Sequence, residues 1–126
     1  MQIIFILLLV LFFGCEEKQT TNVDEIVFPE KNVSFQNNVY PFIKLKCGLQ
    51  GCHGDVNPAR GIQLTDYSSI IIAYNGALIV QGNPNGSVLV QMIENRLPHN
   101  PNLYWNFSDN QKKGIRQWIT EGAMNN

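Results

Sequence analysis

Two cysteines and a histidine fall within one short stretch, CGLQGCH, in which four residues separate Cys47 from Cys52 and His53 follows at once. A cysteine thiol can add across a haem vinyl group to give a thioether, and an adjacent histidine can ligate the iron. The usual attachment motif has two residues between its cysteines and ends in histidine. The residue types therefore predict a covalent haem site, with Cys47 and Cys52 as thioether donors and His53 as the proximal ligand.

Two other interpretations of this stretch stay open at this point. In an oxidising compartment Cys47 and Cys52 could instead form a disulfide, with His53 an ordinary surface residue. A structural zinc site normally needs four ligands, and the chain has only Cys15 and His99 to add from its Cys and His residues. The zinc interpretation is therefore short of ligands, and the disulfide is the stronger alternative to haem.

Length and charge limit the classes of protein that fit. The chain has 126 residues and a formal net charge of −1, which suggests one small domain. It carries no basic stripe, so binding to nucleic acid is not expected. Three cysteines are too few for a dense disulfide scaffold, and the odd one needs its own explanation.

The odd cysteine follows an N-terminal apolar run. Residues 3–13 are all apolar, which is too short for a bilayer span of about 20 residues but fits the core of a signal peptide. Gly14 and Cys15 come next, and a small residue before a cysteine at this place resembles the lipobox of bacterial lipoproteins. No Lys or Arg precedes the run, which departs from the usual signal-peptide pattern.

The lipobox resemblance divides the chain into three parts. Residues 1–14 would be a lipoprotein signal peptide, and Cys15 would be lipidated as the mature N-terminus. Polar composition predicts a flexible tether over residues 15–33, and a folded domain would occupy residues 34–126. Acyl chains would hold this exported protein on a membrane, on the periplasmic or cell-surface side.

Four short helices are expected in the folded domain. Ser34 is a suitable N-cap, and apolar residues recur at helical spacing from Phe35 to Ile43. Pro41 would remove a hydrogen bond from the middle of that helix, which should therefore kink or restart near Tyr40. Further helices are predicted over residues 67–74 after Asp66, over 88–95 after Ser87, and over 109–121 after a capping box that begins at Ser108.

The resulting prediction is an all-α fold with Gly- and Pro-rich loops, in which the first helix leads to Cys47. A histidine ligand usually donates its second N–H to a carbonyl group, which fixes the ring. The carbonyl of Asn57 or Pro58, in the loop that follows His53, is the expected acceptor.

Several short motifs across the domain carry a family resemblance. From about residue 34 to residue 123 the chain resembles the small c-type cytochrome domain of exported proteins from Planctomycetes and Bacteroidetes, in which a four-residue gap between the cysteines also occurs. The matching stretches are VYPFI, KC, CHG, GIQL, DY, QGNP with a following serine, LPH, WI and GA, in this order.

This resemblance implies a cytochrome c-like fold around one covalent haem c. It implies that the first and last helices pack together, that Cys47 and Cys52 carry the thioethers, and that His53 is the proximal ligand. The protein would be a single-electron carrier rather than an enzyme. It would act with a redox partner protein that the sequence does not identify.

One departure from the family leaves the sixth iron position open. The family has Met-Pro where this chain has Leu97-Pro98, and a leucine side chain has no lone pair with which to ligate iron. The nearest competent groups are His99 in the same loop and Met92 on the preceding helix, where core packing is the more ordinary role. A water molecule or a vacant position is the third possibility, and a five-coordinate iron would bind small ligands or react with peroxide.

Overall fold

The computed structural model describes residues 21–99 and 106–126, and within these ranges all regular secondary structure is helical, with no β-strand. The all-α prediction is therefore confirmed. No helix in these ranges is long and apolar enough to cross a membrane. The predicted signal peptide and lipidated Cys15 lie outside the described residues. The four α-helices are α1 (Tyr40–Lys46), α2 (Tyr67–Ile72), α3 (Val88–Ile93) and α4 (Asp109–Thr120).

The first helical region changes character where the sequence predicts a restart. Ser34 caps it by accepting a hydrogen bond from the Asn37 N–H, and Phe35–Val39 forms a π-helical turn. Helix α1 then begins at Tyr40, which puts Pro41 in its first turn, where the missing N–H costs no helical hydrogen bond. The helix ends where the Cys47 N–H donates to the carbonyl of Ile43, so α1 delivers the first cysteine to the loop that follows.

Helix α4 has the predicted start and stop. The Ser108 hydroxyl accepts from the Gln111 N–H, and the Gln111 side chain accepts from the Ser108 N–H, which completes the capping box. Gly122 follows the helix with a φ of 98°, a conformation that glycine adopts without strain. Trp118 of α4 is buried against Phe35, with ring centroids 5.7 Å apart, so the two ends of the domain pack together.

The segment before Ser34 belongs to the fold, which corrects the tether prediction over residues 22–33. Four of its apolar side chains are buried in the core, whereas Val27 is exposed. Phe28 makes a two-way pair with Asn110, whose amide both accepts from the Phe28 N–H at 2.8 Å and donates to its carbonyl at 3.0 Å. The segment is mostly polar and its buried residues are irregularly spaced, so no periodic pattern indicated that it is folded. The buried residues are Val23, Ile26, Phe28 and Val33.

The two central helices are shorter than predicted. Asp66 caps α2 through a reciprocal pair with Ser69, but the helix stops at Ile72 and a 3₁₀ turn follows over Ala73–Gly76. Helix α3 ends at Ile93 rather than at residue 95. Ser87 does not cap α3 with its side chain; its buried hydroxyl instead accepts from the Val80 N–H at 2.9 Å and ties the preceding loop together.

Candidate functional site

The loop after α1 is closed by backbone hydrogen bonds around the two cysteines. The His53 N–H donates to the carbonyl of Cys47 at 3.0 Å, which folds the five intervening residues into a compact turn. On the far side the Leu64 N–H donates to the carbonyl of His53 at 2.8 Å, and the Ala59 N–H donates to that of Cys52 at 2.6 Å. His53 is therefore held at the point where the loop crosses itself.

Glycines permit this crossing. A Cβ atom on Gly48 would lie 2.8 Å from the Leu64 carbonyl oxygen, closer than real Cβ contacts, and the backbone there has little freedom to move away. Gly51 has a φ of +80°, in the left-handed region that favours glycine. The loop is thus rich in glycine because segments of its own backbone approach each other closely.

The His53 ring is fixed by a carbonyl group within the same loop. Its Nδ1 donates to the carbonyl of Ile62 at 2.8 Å, which leaves Nε2 as the nitrogen with a lone pair to offer a metal ion. The prediction that a carbonyl in the loop after His53 holds the ring is confirmed, although the carbonyl is neither that of Asn57 nor that of Pro58. The acceptor is Ile62 because the chain turns through the 3₁₀ segment Ala59–Gly61 before it passes the ring.

His53 faces a narrow cleft with a free volume of about 20 Å³, little more than one water molecule needs. A larger group could enter only if the walls of the cleft moved apart. The walls are mainly aliphatic, with two imidazoles, one thiol and one thioether among them. The lining residues are Cys47, His53, Ile62, Leu64, Tyr74, Leu78, Leu89, Met92, Ile93 and His99.

Both cysteines are free thiols in different surroundings. Cys47 is buried, and its pKa is raised to about 12 by burial first and by Cys52 second, with Lys46 acting in the opposite direction. The Cys47 thiol is therefore uncharged at neutral pH, which suits its position in an apolar wall. Cys52 is half-buried on the loop, directly before His53.

His99 reaches the cleft from the loop after α3. Its ring centroid lies 6.0 Å from that of His53, with an angle of 25° between the ring planes. Burial, and secondarily the neighbouring His53, lowers the pKa of His99, so its imidazole is favoured in the neutral form that metal ligation requires. The structure thus brings together four of the five predicted cofactor contacts: Cys47, His53, His99 and Met92.

This donor set has residue types that a covalent haem would need. The fixed imidazole of His53 could serve as the proximal ligand, and the Cys47 thiol in the apolar wall could carry one thioether, whereas Cys52 does not line the cleft. No group of three or more His, Cys, Asp or Glu side chains suited to a metal ion occurs among residues 21–99 and 106–126. A zinc site of protein ligands alone is accordingly not supported there.

The aliphatic walls are the part of the site that sequence reasoning missed. Leu64, Leu78, Leu89 and Ile93 line the cleft, but each is an ordinary core residue by type and spacing. Tyr74 lines it as well, from a left-handed turn with a φ of 55°. The left-handed turn is what distinguishes Tyr74 from an ordinary surface tyrosine, and a turn conformation cannot be predicted from the residue type alone.

The chain matches no protein-family model, no curated protein and no solved structure.

Proposed function

We propose that this protein is a monohaem c-type cytochrome that carries single electrons and performs no substrate chemistry of its own. The observation that supports this most directly is the His53 ring, which is held by the Ile62 carbonyl and faces an apolar cleft beside Cys47. A fixed imidazole in such a cleft is suited to ligating a haem iron.

In this proposal two cysteines and one histidine would hold the haem. The Cys47 and Cys52 thiols would hold the haem through thioether bonds, each formed by addition of the S–H across a vinyl double bond, so that sulfur and hydrogen end on the two vinyl carbons. His53 would supply the proximal nitrogen. The bound haem would supply a one-electron couple between ferric and ferrous iron, and the aliphatic walls would limit the access of water.

The setting of the carrier is part of the same proposal. Residues 1–14 direct export, Cys15 receives the lipid, and the domain then works at a membrane surface with a redox partner protein. Export also puts the chain where thioether attachment takes place in bacteria. Replacing Cys15 with Ser should move the protein from the membrane fraction to the soluble fraction without changing its absorbance spectrum.

The decisive experiment is expression of the full chain in a host that attaches haem to thiols. We expect a coloured protein whose haem survives acid–acetone extraction and adds its mass to the polypeptide. A Cys47→Ser, Cys52→Ser double variant should lose that mass, whereas Cys15→Ser, the third cysteine, is the matched control and should keep it.

Two other outcomes would replace the proposal. A colourless wild-type chain with a Cys47–Cys52 disulfide would make this a haem-free binding or structural module. A covalent haem with a high-spin ferric spectrum that shifts with cyanide or carbon monoxide would make it a five-coordinate protein for small ligands or peroxide.

A further inference from the structure

We infer that His99 is the sixth ligand of the iron, so that two imidazoles, from His53 and His99, hold the metal on opposite sides. This inference rests on the proposed function. It goes further because it fixes the coordination, and coordination determines both the reduction potential and whether exogenous molecules reach the iron.

The spacing of the two rings is the first argument. An imidazole nitrogen lies about 2 Å from a first-row metal ion, and two such bonds plus half of each ring put the ring centroids about 6 Å apart. The His53 and His99 centroids are 6.0 Å apart. This separation is compatible with one metal ion between the two imidazoles.

The rival side chains are less suitable. Leu97 occupies the position where the resembled family has methionine, has no donor atom and is 37% exposed. Met92 also lines the cleft, but it is half-buried and packed against the hydrophobic core, where its thioether already fills space. His99 alone pairs its ring with that of His53.

Hydrogen bonds at the end of α3 support the chain that leads to His99. The N–H groups of Arg96 and Leu97 both donate to the Gln91 carbonyl, at 2.7 and 3.1 Å, and close the end of the helix. Glu94 accepts from Arg96 on this turn and from Arg116 on α4, which anchors the turn to the longest helix described. A ligand that must stay on iron through redox cycling needs support of this kind.

The consequence is a low-potential carrier closed to exogenous ligands. Histidine–methionine ligation raises the potential of a c-type haem, and a second histidine in place of methionine lowers it. With both axial positions taken by the protein, carbon monoxide and cyanide would bind only after His99 leaves.

The test uses the full chain loaded with haem, examined by low-temperature EPR and near-infrared magnetic circular dichroism of the ferric form. We expect the low-spin signature of two imidazoles and no thioether-to-iron transition. His99→Ala should turn the iron high-spin or water-ligated, and added imidazole should restore the wild-type spectrum. His99→Met should shift the midpoint potential to a more positive value.

Met92→Leu tests the rival donor, and the signature of two imidazoles should persist without that thioether. Met124→Leu, at an exposed methionine that does not line the cleft, is the matched control and should leave the spectrum unchanged. The inference is overturned if Met92→Leu changes the axial signature, if His99→Ala does not, or if the wild-type iron is high-spin. In the first two cases covalent haem still adds its mass and the proposed function survives, whereas a high-spin wild-type iron that binds cyanide or carbon monoxide would overturn both. Absence of haem from the mass spectrum would overturn both.

Discussion

Gly114 of α4 shows how one missing methyl group sets the packing of the N-terminal segment. The Phe28 ring lies so close to Gly114 that a Cβ atom there would come within 2.1 Å of Phe28 Cγ. Glycine in a helix interior normally costs about 1 kcal/mol relative to alanine. Here the Phe28 side chain occupies the space that an alanine methyl would need. Replacing this glycine with alanine should therefore destabilise the protein rather than stabilise it.

Gly114→Ala is therefore expected to destabilise the protein by about 1–3 kcal/mol, the range for overpacking a core, as measured by urea unfolding. Lys113→Ala, at the exposed neighbouring position, is the matched control and should change stability by less than about 0.5 kcal/mol. In a Phe28→Gly background the penalty should disappear, because both the ring and the Cβ atom of residue 28 are gone. A stabilising Gly114→Ala would show that the segment does not pack on α4.

At the same scale, the sequence singles out the reactive residue types of the candidate site but not the groups that position them. Cys47, Cys52, His53 and His99 stand out because few residue types ligate or bond covalently to a cofactor. The acceptor for His53 Nδ1 is a backbone carbonyl, and every residue has one. Which carbonyl meets the ring depends on the turn at Ala59–Gly61, so Ile62 could not be singled out from the sequence.

Among the elements, the segment before Ser34 departs most from what its composition predicts. Four of its apolar side chains are buried, and each contributes about 1.5–3 kcal/mol when removed from water. A small domain has only about 5–15 kcal/mol of net stability. The segment is therefore as necessary to the fold as the helices, even though it contains only the short 3₁₀ turn Val23–Glu25.

A chain beginning at residue 34 should accordingly be unfolded or molten at 25 °C, whereas one beginning at residue 21 should unfold cooperatively on heating. Circular dichroism with thermal melting of the two truncations checks this. The longer truncation is the control for loss of the residues before position 21. Equal melting temperatures for the two truncations would mean that residues 22–33 do not stabilise the fold and act only as a tether.

Helix boundaries were predictable where capping side chains decide them and not elsewhere. Ser34, Asp66 and Ser108 each accept the expected N-terminal hydrogen bond. Ser87 has the same residue type before a helix, but its hydroxyl bonds to the loop at Val80 instead. Competition between such local partners depends on tertiary contacts, which a single sequence does not reveal.

Glu121 at the end of α4 ties the N-terminal segment to the helix through its charge. Its carboxylate accepts from the Gln117 side chain at 2.8 Å and from the N–H groups of Asn32 and Val33 at 2.8 and 2.9 Å. These hydrogen bonds, led by that from Gln117, lower the pKa of Glu121 below its ordinary value of 4.5. The stabilisation is therefore fully present above pH 4.5 and is lost as pH falls through the lower pKa of the folded state.

Glu121→Gln should cost about 0.5–1 kcal/mol at pH 7, a small value because the group is exposed to solvent. The difference from wild type should shrink as the pH falls below 4.5, as measured by urea unfolding at several pH values. Gln36→Ala is the control, because it removes another surface amide hydrogen bond, to Asn125, without touching Glu121. A pH-independent difference would mean that shape rather than charge matters.

In the molecule as a whole, the cleft lies beside the core and shares residues with it. Residues from the loop after α1 and from α3 line the cleft, and several of them also belong to the hydrophobic cluster of the described residues. A chain of this size buries a small core. The residues that would contact the macrocycle are thus the same residues that stabilise the fold.

Loading with haem should therefore stabilise the whole domain by about 2–3 kcal/mol, the free energy of taking one large apolar side chain of the walls out of water. For a domain of this size that corresponds to a melting temperature roughly 10–20 °C higher. The measurement compares wild-type chain from a host that attaches haem with the same chain from a host that does not. The Cys47→Ser, Cys52→Ser variant from both hosts is the control and should melt at one temperature, which excludes an effect of the host. Equal melting temperatures for loaded and unloaded wild type would mean that the cleft is not the place where the macrocycle is buried.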